Sequence, residues 1–138
     1  MAWIIDGPEL DQVICIFDLK LPVRIQKHQG GSQLLGTHQL KAATEAPTPV
    51  FSHYYHHITV GARLTPWRAS RTIWHECAHA KQAEAEMSKS GQPFDSLRSA
   101  QAFWRMDEKP SLGRYVDYPH EVEARRYEDY AEFITPCV

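Results

Sequence analysis

The sequence predicts an α+β fold, a small three-stranded sheet packed on helices in the order α-βββ-α-α-α. Three observations predict it. Apolar residues recur at helical spacing near the N-terminus and again through most of the chain after residue 65. Between Pro22 and Gly61 the chain carries short β-prone runs broken by glycine and proline. The strands are therefore consecutive and so are the later helices, which is the pattern of the α+β class.

The elements follow in order. Asp6 is placed to cap a first helix, with Pro8 early in it and Leu10, Val13, Ile14 and Phe17 at i, i+3, i+4 and i+7. The run Val13 to Phe17 is also β-prone, but the spacing favours helix, which Pro22 ends. Val23 to Lys27 reads as a strand, Gly30-Gly31 as a turn, Gln33 to Lys41 as a second strand and 42–49 as a surface loop. Phe51 to Val60 is the third strand. Its alternation puts Tyr54, His56, Ile58 and Val60 on one face and His53, Tyr55, His57 and Thr59 on the other. Thr65-Pro66 is an N-cap with proline at the first helical position. Ile73, Cys77, Ala80 and Glu84 then share a face, and Gly91-Gln-Pro93 closes the helix. Asp95 is expected to cap a helix to about Met106, with Leu97, Ala100, Phe103 and Trp104 on one side. A Gly/Pro loop over 110–118 leads to Pro119, which opens a last helix to about Phe133, with Val122, Ala124, Tyr127, Tyr130 and Ala131 as its apolar content. Trp67, Trp74 and Trp104 read as core aromatics.

A chain of 138 residues implies one domain, 1–138, with one core. Its 43% hydrophobic and 23% charged residues are ordinary for a globular protein, and no basic run among its charges (net −2) suggests a nucleic-acid surface. The N-terminus lacks the parts of a secretory signal, and no stretch approaches the roughly 20 apolar residues of a membrane helix. Three dispersed cysteines, Cys15, Cys77 and Cys137, read as reduced thiols of a cytoplasmic protein. Cys77 points away from the face of its histidine neighbours and reads as a small core residue.

The chemistry lies in His75-Glu76-Cys77-Ala78-His79, an H-E-x-x-H pentapeptide inside the long helical segment. Residues four apart share a helix face, so both imidazoles can reach one ion. Two neutral imidazoles suit Zn²⁺, and a catalytic zinc site needs one more protein ligand. Glu76 is offset by about a third of a turn. It can serve as general base on the attacking water without binding the metal.

Downstream, His120-Glu121-Val122-Glu123-Ala124 offers the missing ligand. The two segments together resemble the gluzincin branch of the zincin metallopeptidases, most closely the small single-domain versions of bacterial and phage genomes. That resemblance covers about a third of the chain. It implies Glu121 as the third ligand beside His75 and His79, with Ala124 as the small residue that lets the helices approach. Glu123 lies about 200° round the helix from Glu121; it stands as the second choice for ligand and His120 as the third. The family has Asp or Asn four residues after its ligand Glu, to orient a metal-bound His; this chain has Arg125. Zincins also place a substrate-binding edge strand before the metal helix. The α-βββ-α order resembles SprT-like proteases, without their third His or C-x-x-C ribbon. ImmA/IrrE-like proteins share the ligand scheme and usually carry a further DNA-binding domain. Peptide deformylase has the pentapeptide but needs an upstream Glu-Gly-Cys that Cys15 does not supply.

His53, His56 and His57 cluster locally, but His53 and His57 sit about 13 Å apart on a strand, too far to hold one ion. They read as strand residues, of which one is a candidate for the substrate cleft. His28 and His38 read as surface residues. Tyr115, Tyr118 and Arg125 are candidates to stabilise an oxyanion. The expectation is a zinc metallopeptidase, with one Zn²⁺ per chain, Glu76 as general base and a peptide or protein substrate. The alternative is a zinc-binding structural or partner-binding protein that cleaves nothing, and a third is an adaptor or toxin module with an incidental His/Glu pair.

Overall fold

The structure, a computed structural model, describes residues 3–28, 35–107 and 118–133. The chain forms β1 (Trp3–Ile4), α1 (Pro8–Phe17), β2 (Val23–His28), β3 (Gly36–Ala42), β4 (Tyr54–Gly61), α2 (Pro66–Lys89), α3 (Leu97–Asp107) and α4 (Pro119–Arg126). Short 3₁₀ turns follow at Ala43–Glu45 and Glu128–Phe133. The α+β class holds, but the sheet has four strands in the order β1-β2-β4-β3. β2 and β4 run parallel, while β1 and β3 pair antiparallel at the two edges. β1 has two residues, too few to show any alternation. The strand before α2, β4, is interior, so the edge on that side is β3.

Local chemistry sets most boundaries. Gly7 precedes α1 at φ 137°, and Asp6 does not cap it. Asp18 ends α1 in the left-handed region, at φ 52°, with the amides of Asp18 and Leu19 returning to Cys15 and Ile14 carbonyls. Thr65 caps α2 through its hydroxyl, which accepts from the Arg68 amide at 3.3 Å. The cap of α3 is Ser96, not Asp95. Ser96 Oγ accepts the Ser99 amide at 3.2 Å, and Ser99 Oγ accepts the Ser96 amide at 3.1 Å, a reciprocal box. Asp95 has φ 62° and turns its carboxylate to the amides of His53 and Tyr54, at 2.8 and 3.0 Å. The last helix stops at Arg126, and the chain continues as a 3₁₀ segment. The Gly30-Gly31 turn, Tyr115 and Cys137 lie outside the described residues.

One side of the sheet packs on α1 and α2. Leu10, Val13, Phe17, Val23, Ile25, Ile58, Val60, Ile73, Trp74, Cys77 and Ala80 form the main core there, joined by Ala124 and Ala131. A second cluster under α3 gathers Leu21, Leu40, Tyr54, Ala83, Met87, Ala100 and Phe103. The alternation in β4 is as expected, yet residues 54–58 are all buried, because the 43–53 segment covers part of the outer face. Trp67 departs from expectation. It is 51% exposed and lies under the Arg71 guanidinium at 4.8 Å. Trp74 is fully buried, and Trp104 half-buried. No helix among the described residues is long and apolar enough to cross a membrane.

β3 lies hard against α2 at Gly36. A Cβ there would sit 2.5 Å from Thr72 Cγ2, 2.6 Å from the Thr59 carbonyl oxygen and 3.3 Å from Glu76 Cγ. The Thr59 oxygen belongs to the sheet ladder and cannot give way cheaply. Gly36→Ala is therefore expected to lower the unfolding free energy by about 1–3 kcal/mol. Denaturant titration of the two proteins measures this, and equal midpoints would show that β3 floats off α2 freely.

Candidate metal centre

His75 and His79 sit one helical turn apart in the middle of α2, and Glu121 is in the first turn of α4. One ligand atom from each of the three lies within 4.8 Å of the others, so they can hold a metal ion together. Glu121 is 3% exposed and bridges the rings. Its Oε2 is 2.9 Å from His75 Nε2, and its Oε1 is 2.9 Å from His79 Nε2. Ala124 is fully buried, as the small residue expected between the helices. The alternatives to Glu121 fall away. Glu123 is exposed and accepts from Gln82 Nε2 at 3.2 Å, and His120 has Nε2 3.9 Å from Glu121 Oε1 with its side chain 45% exposed.

The other nitrogen of each ring is held from behind. His75 Nδ1 is 3.1 Å from Glu128 Oε2, and a carboxylate only accepts, so this nitrogen carries its proton. His79 Nδ1 is 2.7 Å from Gln82 Oε1. Gln82 is fixed in that sense because its amide nitrogen donates to the His120 carbonyl at 2.9 Å and to Glu123. With Nδ1 engaged from behind, each ring turns Nε2 to the cluster, where in its neutral form that nitrogen would offer a lone pair to a cation. Glu128 supplies the support that Arg125, exposed at the end of α4, does not. Arg71 in turn grips Glu128 Oε1 at 3.7 Å and Asp129 at 3.0 Å. Glu128 and Gln82 escaped the sequence analysis. Gln82 had a signal in its spacing, three after His79 on the same helix face, whereas Glu128 lies on the 3₁₀ segment beyond α4 and no local spacing marks it.

The donor set fits a divalent cation such as zinc. Two neutral imidazoles and a carboxylate are ordinary zinc ligands, and tetrahedral ligation needs ligand atoms about 3.3 Å apart. Burial of the carboxylate without a cation is costly. His79 Nε2 is buried 2.9 Å from Glu121 Oε1, and Glu76 Oε2 is buried without a hydrogen bond among the described residues. Glu76 is 6% exposed. Burial raises its pKa first; His79 and His75 pull it back, and Glu121 and Glu128 raise it again, leaving it above the ordinary carboxylate value. Burial lowers both histidines, but hydrogen bonds to Glu121 and the charge of Glu76 outweigh it, and both pKa values end raised. Glu128 adds to this at His75 and Gln82 at His79.

The remaining candidates lie elsewhere. His53 is exposed and tied to Asp95. His57 is buried on the outer face of the sheet, beside Trp3 and Gln26. His56 is buried against Glu84 of α2 and touches His38, which is half-buried and not the surface residue expected. Tyr118 precedes α4, its ring 5.7 Å from that of His120. Cys77 is buried as expected. No protein family, no curated protein and no solved structure matches this chain.

Two outcomes follow from this geometry. Glu128→Ala should weaken metal binding about 10- to 100-fold, and Glu121→Ala by at least as much, with Glu123→Ala close to wild type. Competition titration with a chelating dye ranks the three, and an unchanged Glu128→Ala would show that His75 needs no orienting partner. The second outcome concerns pH. Raised histidine pKa values let protons compete with a cation from just above the ordinary value of about 6.5 downward. Metal affinity should therefore be full well above neutrality and fall as pH drops through that range. The metal-free protein should do the reverse. A raised folded-state pKa contributes stability below the unfolded value and loses it as pH rises through the folded one. Affinity and melting temperature measured between about pH 8 and pH 5 should thus move in opposite directions.

Proposed function

We propose that this chain is a zinc-dependent metallopeptidase, with one Zn²⁺ per chain held by His75, His79 and Glu121. The observation that carries the reading is Glu76. Its carboxylate is buried beside the cluster with Oε2 lacking a hydrogen bond among the described residues. A purely structural metal has no use for such a group, which costs free energy to bury. When bound, zinc lowers the pKa of a water and polarises a carbonyl. Glu76 Oε2 takes a proton from the attacking water and delivers it to the leaving amine nitrogen as the peptide C–N bond breaks. The raised pKa of Glu76 suits that exchange.

The substrate side of the reading rests on β3. The Gly61 amide bonds the Leu35 carbonyl, so odd-numbered residues of the strand face β4. Gly36, His38 and Leu40 turn their backbone groups outward. Leu40 is taken up by Trp104 Nε1 at 3.2 Å. Among the described residues nothing bonds the outer groups of Gly36 and His38, and Gly36 lies against Glu76. An extended peptide added along this edge would run past the metal centre. The proposed setting is one domain acting in the cytoplasm on a peptide or protein.

Glu76→Gln should keep the fold and the zinc and lose hydrolysis by roughly 10²–10⁴-fold or more, because Gln cannot take the proton. Wild type and variant are compared on a peptide library, with zinc measured on the same samples. An active wild type matched by an equally active variant would refute the mechanism. A wild type that holds zinc yet cleaves nothing would favour the structural, partner-binding alternative.

A further inference from the structure

A buried chain of three side chains ends at the same strand edge. Glu84 on α2 accepts the Lys20 amide at 2.8 Å and the Leu21 amide at 3.2 Å. Its Oε2 lies 2.7 Å from His56 Nε2. His56, wholly buried, has its Nδ1 2.9 Å from His38 Nε2. His38 is half-buried, packs edge-on against Phe103 at 6.1 Å and lies on β3 two residues past Gly36. Residues two apart share a strand face, so His38 faces the α2 side, as Gly36 does where it meets Glu76.

Hydrogen-bond chemistry fixes the polarity of the chain. The Glu84 carboxylate can only accept, so His56 Nε2 carries a proton, and in the singly protonated ring Nδ1 is left as an acceptor. His38 Nε2 must then donate, and His38 Nδ1 holds a lone pair. Burial above all holds the His38 pKa well below the ordinary value, so the ring stays neutral. We propose that His38 is a specificity-determining residue of the cleft, offering Nδ1 as a hydrogen-bond acceptor to a side-chain N–H or O–H of a peptide lying along β3. This rests on the peptidase reading for its ligand, but not for its tautomer. His56 and Glu84 are positioning residues. A merely structural bolt between α2, β4 and the turn after α1 would affect stability and leave peptide preference alone.

The experiment uses zinc-loaded Glu76→Gln protein with ¹⁵N-labelled histidine. The probes are blocked hexapeptide mixtures with one central residue fixed, Lys, Asn or Thr against Leu. The His38 Nδ1 resonance should be that of an unprotonated nitrogen, and should move with the donor-bearing peptides and not with the Leu set. Adding Glu84→Gln should invert the tautomer. The Gln oxygen serves the Lys20 amide, the NH₂ turns to His56 at the cost of the Leu21 bond, and the proton appears on His38 Nδ1 and the preference is lost. If that variant does not fold, His56→Leu should give a mixture of tautomers. His38→Phe, which keeps the ring packing, should weaken the donor-bearing peptides about 3- to 10-fold, one hydrogen bond's worth, and His38→Asn should restore part of it. A protonated Nδ1 in the parent protein, or an Nδ1 indifferent to every peptide, overturns the proposal. The peptidase reading fails separately, on zinc content and on the Glu76 comparison.

Discussion

The close approach of α2 and α4 is the constraint on which the site depends. Glu121 bridges two histidine rings from another helix, and its carboxylate stem spans little distance. The helix backbones must therefore lie near one another. Ala78 and Ala124, both essentially without exposed surface, permit this within the main core. A longer side chain at 124 would lift α4 and withdraw the carboxylate from both rings at once. The 3₁₀ segment after α4 adds a second hold. Arg71 clamps its first two residues, while Trp74 and Tyr130 meet edge to face at 5.3 Å. Packing that looks purely structural thus sets the distance on which metal chemistry rests.

α2 carries polar commitments on two sides. Toward the sheet, Glu84 is met by two backbone amides and an imidazole. Toward α4, the two histidines each have one nitrogen engaged from behind. Buried carboxylates are expensive unless donors surround them. Glu84 has its donors and Glu121 has the two rings beside it. Glu76, with one oxygen unsatisfied among the described residues, stays costly until something else occupies its surroundings. Glu76 and Glu84 share one helix, yet Glu84 has its donors in place and Glu76 Oε2 has none among the described residues.

Much of this was legible in the residues, and for physical reasons. The helix of the metal motif announces itself by Thr65-Pro66 and by its i, i+4 apolar pattern, and the two histidines inherit their common face from it. Glu121 was reached only by family resemblance, since nothing local distinguishes it from Glu123. Partners that depend on tertiary placement were not legible. Glu128 reaches His75 across 53 residues, and Glu84 reaches the Lys20 amide across 64. β1 was too short for any pattern. Asp95 has the composition of a cap but spends its carboxylate on β4, because two nearer amides compete for it. His38 looked like a surface histidine because its spacing says nothing of the buried ring opposite.

The separation of ligands along the chain has a consequence for how the protein is made. Synthesis is vectorial, and a growing chain can use only what has already emerged. The pentapeptide is complete 42 residues before Glu121 appears. Throughout that interval the nascent chain holds two histidines and Glu76, but neither the bridging carboxylate nor the Glu128 behind the first ring. The three candidate ligands come together only when the last helix docks. Assembly of the cluster is thereby tied to the docking of α4. A chain cut short after α3 would keep its most recognisable motif and possess no centre.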